Sequence, residues 1–453
     1  MPAHNPVIHT LPSKGSHEIT THGGDAVRYR PNGKVSDLHD TRRGMDIHRG
    51  LNGSQRIVVE HPDHSRIVVE RGHPGFVGRQ FGYRGEHFER RTYVYEGRSY
   101  EHYYHEYRYR GVDMHVYAPD RYYHREYYGW AYNPWQRPVY YHWGWERRPW
   151  YDRFGFFFSP YPSYPSASYW LTDYMLAADM QAAYAAQQQA GVTMGDPSAG
   201  AAPLSPEVKQ QISDEVRSQL AVESQEAQQN AQQQSADPGA SGIGRMFDDA
   251  AQGHSHVLVV GTPLDVVDGS GMECALSDGD VLLLRSAPPP DSPTATLYVL
   301  ASKGGTECPK SDAVSVRLED IQEMQNQMRA MIDQGLGEMQ KGQGGLPPAP
   351  AAAVQATPAV YTTVTLPPEA NASAELQQQA QQAQQAETDV TSTVGQEAGG
   401  QAATPTVVAG QTIAEVEAIL GQPRDKALLG SKVVYNYNGM KVIFINGRVT
   451  DVQ

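Results

Sequence analysis

The sequence predicts a multi-domain, β-rich α+β protein whose folded regions are joined by disordered linkers. Two observations lead to this fold class. Short β-branched and aromatic runs, bounded by Gly, Pro and Asn turns, fill most of residues 26–169 and 241–340. Stretches dominated by Gln, Ala and Pro separate these regions, and such compositions are typical of linkers. A chain of 453 residues has room for several domains.

The N-terminal part is predicted to begin with a disordered segment, residues 1–25, because it is polar and has no pattern. Residues 26–169 then form a Tyr/Trp/His-rich β region. The segment Arg-Ile-Val-Val-Glu occurs at 56–60 and again at 66–70, which predicts a hairpin of two near-identical strands. Three later aromatic-x-aromatic-x-Gly units place pairs of rings on one face, because alternate strand residues share a face. Together these patterns predict a Tyr-rich antiparallel β meander with one aromatic and one charged face.

The aromatic face is the first candidate binding surface. Exposed tyrosine and tryptophan rings suit contact with a lipid headgroup layer, and they also stack on sugar rings. The residues predicted to make such contacts are Tyr93, Tyr95, Tyr107, Tyr109, Trp130, Trp143 and Trp145. The alternative interpretation is that the rings pack on one another, because a single-layer meander has no other core.

The histidines of the same region are the candidates for metal binding. His102, His105 and His115 lie near acidic residues, and imidazole with carboxylate suits Zn, Cu or Ni. Residues 102 and 105 of one strand point to opposite faces, so this pair alone is a poor chelate. We therefore predict no metal and no other cofactor. The alternative role for these histidines is that of half-buried members of the aromatic face.

The formal net charge of −14 is unevenly distributed. Residues 1–170 hold 23 basic and 18 acidic side chains, whereas the remainder holds 14 basic and 33 acidic ones. A basic part joined to an acidic part predicts either an anionic surface as partner or contact between the two parts. Nucleic acid is not a predicted partner, because the glutamates interleaved among the arginines would repel phosphates.

Two helices are predicted in the middle of the chain. The first covers residues 170–190, and the second covers 205–230 within a linker at 191–240. Ser205 and Pro206 open the second helix as N-cap and first helical residue. An apolar stripe follows at every fourth position, formed by Val208, Ile212, Val216 and Leu220. This stripe predicts self-association through residues 205–222 or, alternatively, packing of the helix on its own domain.

Residues 241–340 are predicted to form a small β-barrel or roll with a following helix. This region contains both cysteines of the chain, Cys274 and Cys308. An even pair within one small domain predicts a disulfide, and the alternative is two reduced, buried thiols. A disulfide would place the protein in an oxidising compartment. The following residues, 341–403, are predicted to be a flexible Pro/Ala/Gln-rich linker.

Residues 404–453 predict a capped helix followed by three strands at 432–437, 441–445 and 448–452. The segment resembles the outer-membrane assembly lipoprotein family, the BamE, SmpA and OmlA group. The matching positions are Gly410, Thr412, Glu415, Val416, Leu420, Gly421, Pro423, Tyr435, Tyr437, Phe444, Asn446, Gly447 and Val449. The resemblance implies an αβββ module that docks on envelope proteins. The upstream aromatic region resembles Tyr/Trp-rich proteins of the bacterial envelope.

The predicted location is the cell envelope, either the periplasm or the outer-membrane surface. No signal peptide, lipid-anchoring N-terminal cysteine or transmembrane segment is visible in the sequence, so the prediction depends on the cysteine pair and the family resemblance.

The predicted function is that of a non-enzymatic structural or interaction protein of this compartment. No nucleophile, base and oxyanion donors converge in any motif, so we do not predict an enzyme. Its predicted partners are envelope proteins or the envelope surface, through glycan or lipid headgroups. The alternative is a metal- or small-ligand-binding protein that uses the N-terminal His/Tyr face.

Overall fold

The computed structural model confirms a mixed α+β, β-rich fold with several antiparallel sheets. It describes residues 10–95, 97–190, 200–341, 345–350 and 355–400, together with a C-terminal part. That part comprises residues 412–413, 416–417, 423, 425–429, 432–437, 440–445 and 447–452. The chain divides into two compact units, Met1–Val390 and Thr391–Gln453. Within the described ranges, no helix is long and apolar enough to cross a bilayer.

A ten-stranded antiparallel meander forms the N-terminal part, and each strand pairs with the next along the chain. Its strands are β1 (His17–Thr20), β2 (Ala26–Tyr29), β3 (Val35–Asp40), β4 (Met45–Arg49), β5 (Gln55–Glu60), β6 (Arg66–Glu70), β7 (Gly75–Tyr83), β8 (Glu86–Tyr95), β9 (Arg98–Tyr109) and β10 (Val112–Ala118). The repeated hairpin is confirmed, with Val58 opposite Val68. The prediction of disorder up to residue 25 is wrong for β1, because Ile19 pairs with Val27 and extends the sheet.

Both faces of this single sheet carry buried aliphatic side chains. On the first face, Ile47 is opposite Ile57, and Val59 lies two positions further along the same strand as Ile57. Val59 is opposite Ile67, which in turn is opposite Val77. On the second face, Val58, Val68 and Phe76 follow one another across β5, β6 and β7. A strand layer with two apolar faces needs cover on both sides.

The first face is covered by a segment that we name the strap, residues 357–390. The strap begins with Thr357–Pro358, which pairs with Arg121–Tyr122, and continues into a long helix, Ala372–Gly400. Tyr361 stacks on Phe88 at 4.7 Å between ring centroids. The buried residues of the helix within the strap recur every three or four positions: Ala372, Leu376, Gln379, Ala383, Ala386 and Val390.

The prediction of a flexible linker at 341–403 is therefore wrong for the strap. Gln and Ala favour helix, and the strap's seam is formed largely by alanine, which gives little hydrophobic contrast in the sequence.

A helical layer follows the meander. Its helices are α1 (Arg125–Tyr132), α2 (Pro149–Phe154), α3 (Ala167–Ala190) and α4 (Pro206–Ala231). The two helices predicted at 170–190 and 205–230 correspond to α3 and α4, and the Ser205 hydroxyl accepts a hydrogen bond from the Val208 amide. The apolar stripe of α4 is buried in the core shared with α1 and α3. The stripe is thus occupied within the chain, and self-association through residues 205–222 stays a prediction.

The disulfide-bearing domain begins with two short helices that were not predicted, α5 (Pro238–Ser241) and α6 (Ile243–Ala251). The short strand Arg121–Tyr122, which pairs with the strap, is β11. Six further strands belong to this domain: β12 (His256–Val259), β13 (Leu264–Asp268), β14 (Glu273–Leu276), β15 (Val281–Leu284), β16 (Thr294–Ala301) and β17 (Ala313–Arg317). They form one antiparallel sheet in the order β12-β15-β16-β17-β13-β14. The helix α7 (Leu318–Gln340) follows β17 directly.

The second unit contains a four-stranded antiparallel sheet. The strands Lys432–Tyr437, Met440–Ile445 and Arg448–Val452 confirm the prediction, and Asp425–Leu429 adds a fourth. Its core is formed by Val416, Tyr435, Val442, Phe444 and Val449. Of the preceding predicted helix only Thr412, Ile413, Val416 and Glu417 are described. The motif positions Gly410, Glu415, Leu420, Gly421 and Asn446 lie outside the described residues.

Removal of the Tyr361 ring should destabilise the protein. The side chain is 1% exposed, and its hydroxyl donates to the Pro119 carbonyl oxygen. We expect Tyr361→Ala to lower the free energy of unfolding by about 3–5 kcal/mol, the usual cost of emptying a large aromatic site. Urea unfolding followed by circular dichroism measures this change. Tyr140→Ala is the matched control, because that ring is 83% exposed. Equal losses in the two variants would contradict the strap's structural role.

Candidate functional site

The aromatic residues predicted to contact a surface are placed by the structure in three separate packed clusters. In the first, Tyr93 on β8 stacks on Tyr100 at 5.3 Å and lies against Phe76 at 5.1 Å. Its hydroxyl forms a 2.8 Å hydrogen bond with the hydroxyl of Tyr104. Tyr95, at the end of the same strand, is half-buried.

A buried arginine lies at the centre of this first cluster. The guanidinium of Arg91 lies 3.8 Å from the centroid of the Tyr104 ring and is bonded to Glu89 at 2.6 Å. It also reaches Glu323 of α7 at 2.9 Å. Burial raises the pKa of Glu89, but the nearby arginine outweighs burial and holds this pKa at about 2. The ion pairs thus fasten α7 to the second face of the meander, a function for Arg91 that its charge alone did not predict.

The second cluster joins the meander to the disulfide-bearing domain. Tyr107 and Tyr109, near the end of β9, lie 6.1 Å apart between ring centroids. Tyr109 is also 6.1 Å from Phe247 of α6, and both tyrosines pack against that domain's core.

The third cluster contains the predicted tryptophans. Trp130 stacks on Tyr127 at 5.4 Å. Trp143 is stacked between Trp145 at 4.3 Å and Trp170 at 4.8 Å. The Trp143 indole also donates a 2.6 Å hydrogen bond to the Tyr164 hydroxyl. Trp130, Trp143 and Trp145 are half-buried and pack against the core of the helical layer.

The three candidate metal histidines do not come together. His102 lies among Tyr93, Tyr100 and Tyr117, whereas His105 stacks on Phe88 at 4.3 Å. His115 faces Glu89 at 3.7 Å. Burial lowers the pKa of His102 and of His115 to about 4 each. Among the residues that the structure describes, no group of three or more His, Cys, Asp and Glu side chains has an arrangement that could hold a metal ion.

Two other histidines, His48 and His73, join the meander to the disulfide-bearing domain. We name these two histidines and their partners Asp265 and Asp278 the clasp. His48 lies between Asp37 at 2.9 Å and Asp265 of β13 at 3.2 Å. Burial lowers the pKa of His48, but these two carboxylates outweigh burial and raise it to about 9. The adjacent Arg30 bonds Asp265 and Glu273, both at 2.8 Å.

The second half of the clasp is His73, whose imidazole is 2.6 Å from the Asp278 carboxylate. Burial again lowers the pKa, and the Asp278 charge outweighs it, so that the pKa of His73 is about 9. Sequence reasoning missed both histidines, because their partners lie about 200 residues further along the chain.

A buried carboxyl pair, Glu223 on α4 and Asp333 on α7, lies among tyrosines. Tyr128 donates a 2.6 Å hydrogen bond to Glu223, and Tyr117 donates a 2.8 Å bond to Asp333. Burial raises the pKa of Glu223 well above its usual range and that of Asp333 to about 6. Two such carboxyls share a proton readily. Each carboxyl is thus held by a tyrosine hydroxyl from another element.

A small cavity lies beside His48 and is lined also by Asp37, Asp46, Arg56 and Val58. Its volume of about 10 Å³ suits a single water molecule. It is too small for an organic ligand.

No protein-family model, curated protein or solved structure significantly matches this chain.

Because of the clasp, the free energy of unfolding should decrease as the pH rises above neutrality. The folded-state pKa values of His48 and His73 are above the unfolded value of about 6.5, so their contribution is complete below about pH 6.5. It is lost as the pH rises through about 9. We expect the free energy of unfolding to decline by on the order of 1–3 kcal/mol over this interval.

Urea unfolding at a series of pH values measures the decline. His48→Gln combined with His73→Gln should flatten the profile in this interval. The exposed His142 supplies the matched control, and His142→Gln should leave the profile unchanged. An unchanged profile in the double variant would refute the clasp as the source.

Proposed function

We propose that this chain is a non-enzymatic interaction protein of the cell envelope. The observation that carries the proposal is the disulfide between Cys274 on β14 and Cys308 in the loop before β17, with 5.0 Å between their Cα atoms. Both cysteines are buried in the core of their domain. Disulfides of this kind form and persist in oxidising compartments, of which the bacterial periplasm is one.

A scaffolding role is supported by the way in which the ionisable groups are used. His48, His73 and Arg91 join separate parts of the chain through ion pairs, and the Glu223–Asp333 pair is enclosed by tyrosines. These groups hold elements of the chain together. The C-terminal sheet, by its resemblance to outer-membrane assembly lipoproteins, would supply a docking module for envelope proteins.

The ligand-binding alternative has less support from geometry. His102 and His105 lie in separate ring clusters, and a site would need further donors next to either one. Elemental analysis of the purified chain decides between the two functions. Metal retained by the native chain and lost in His102→Ala with His105→Ala would favour the ligand-binding protein.

The proposed location predicts that Cys274 and Cys308 are bonded in the native cell. Thiol labelling of the chain in intact cells should find no reactive thiol before reduction and two after it, and the chain should fractionate with the envelope. Two thiols that react without reductant would contradict the proposal.

Reduction should also destabilise the isolated chain. A closed loop with a separation of 34 residues restricts the unfolded state, and its loss costs roughly 3–4 kcal/mol in the entropy model. Cys274→Ala with Cys308→Ala should therefore unfold at lower urea and be insensitive to reductant. A reductant-dependent shift in this double variant would show that reductant acts elsewhere.

A further inference from the structure

The strap is held on the meander by a row of ion pairs between five arginines and four carboxylates. At one end, Arg79 bonds Glu369 at 3.0 Å and Glu375 at 3.2 Å, and Arg90 donates to the Pro367 carbonyl at 2.6 Å. At the other end, Arg49 bonds Glu387 at 2.6 Å. Asp389 is bonded there by Arg43 at 2.7 Å and by Arg42 at 3.0 Å. The basic and acidic parts of the chain thus meet each other here.

Strand register places Arg49, Arg79 and Arg90 on one face of the sheet, and Arg42 and Arg43 lie in the turn before β4. Arg79 is opposite Arg90, and two positions away Val77 is opposite Ile67, which continues the aliphatic row of the first face. Arg49 is opposite Gln55, two positions from the pair Ile47 and Ile57. A Cβ atom on Gly75 of this face would lie 3.0 Å from Leu376 of the strap, so the helix lies directly on the sheet.

The lengths agree with a helix that crosses the strands. The strap helix rises about 21 Å between Glu375 and Asp389, at 1.5 Å per residue. The strands β3 to β7 span four spacings, or about 19 Å. The carboxylates near the two ends of this helix therefore reach arginines at opposite sides of the face.

The attachment of the strap is firm at one end and weak at the other. Tyr361 and Arg90 are buried at the firm end. At the other end the side chains of Arg42 and Asp389 are 70% and 51% exposed. Exposed ion pairs contribute little and are screened by salt, and three of the six buried residues of the helix within the strap are alanine, which has little side chain to bury. The ion pairs at this end are thus more open to solvent and salt than the contacts of Tyr361 and Arg90 at the other.

We propose that the face beneath the strap helix binds the anionic phospholipid headgroups of a membrane surface, and that Glu387 and Asp389 compete with those headgroups for the same arginines. The covered face has the chemistry that such a surface recognises, an aliphatic row rimmed by arginine. Phosphate accepts bidentate hydrogen bonds of the kind that Arg49 now makes to Glu387. The inference names the chemical class of the envelope partner and so deepens the proposed function.

Vesicle co-sedimentation of the purified full chain tests the inference. The vesicles contain zwitterionic phospholipid, either alone or mixed with an anionic phospholipid. We expect binding only to the anionic vesicles, with suppression by salt. Glu387→Gln with Asp389→Asn should bind about 2- to 30-fold more tightly, since two or three competing ion pairs are lost. Arg42→Gln with Arg49→Gln loosens the strap at the same end but should bind more weakly, because the headgroup ligands are lost.

Matched controls separate this site from the net charge. Asp113→Asn with Glu126→Gln, and Arg108→Gln with Arg137→Gln, make the same two-charge changes at exposed positions outside the strap and the strands that pair with it. Both controls should bind as the native chain does. Equal shifts in the controls, or no tightening in the acidic double variant, would overturn the inference.

Amide hydrogen exchange of the native chain gives a readout that needs no variant. Exchange in residues 372–390 should rise when anionic vesicles are added, and unchanged exchange would refute displacement of the strap. Because purified chain and vesicles are used, failure here would leave the thiol and fractionation outcomes unaffected.

Discussion

The structure depends on one constraint: a single layer of ten strands whose two faces are both apolar. Val58 and its neighbours Ile57 and Val59 point to opposite faces of β5, and all three are buried. Leaving one such side chain in water would cost about 1.5–3 kcal/mol. One face of the sheet must therefore be covered by the strap, and α7 is fastened to the other face through Arg91 and Glu323. The strap and α7, both distant in sequence from the meander, are thus positioned because its two apolar faces must be covered.

Ion pairs fix the alignment of packed elements, which apolar contacts alone would specify only weakly. Alanine seams and ring clusters permit several alignments, whereas a carboxylate 2.6 Å from an imidazole or guanidinium permits one. His48 and His73 fix the disulfide-bearing domain against the meander, and Arg91 fixes α7. These buried charges are tolerated because each has a partner of opposite sign, which offsets the cost of removing it from water.

The histidines show that surroundings decide chemical behaviour. His48 and His102 occur in the same basic, aromatic part of the chain, yet one has its pKa raised to about 9 and the other has it lowered to about 4. Two carboxylates face His48, whereas His102 is surrounded by tyrosine rings. The pattern of histidines along the sequence carried no sign of this difference. The predicted aromatic surface likewise divided into three packed clusters. The rings that Tyr93, Tyr109 and Trp143 pack against lie on three different elements: Phe76 on β7, Phe247 on α6 and Trp170 on α3.

The sequence by itself determined the local structure: the repeated hairpin, the Ser205 helix start and the strands near the C-terminus. These features follow from side-chain period, turn residues and caps, all of which act within a few residues. Only the tertiary structure decided that the strap is a cover, that the α4 stripe is internal and that His48 meets Asp265. Such contacts join elements that are far apart in the sequence. They depend on the shape and charge of surfaces that exist only after the chain has folded, and no local period encodes them.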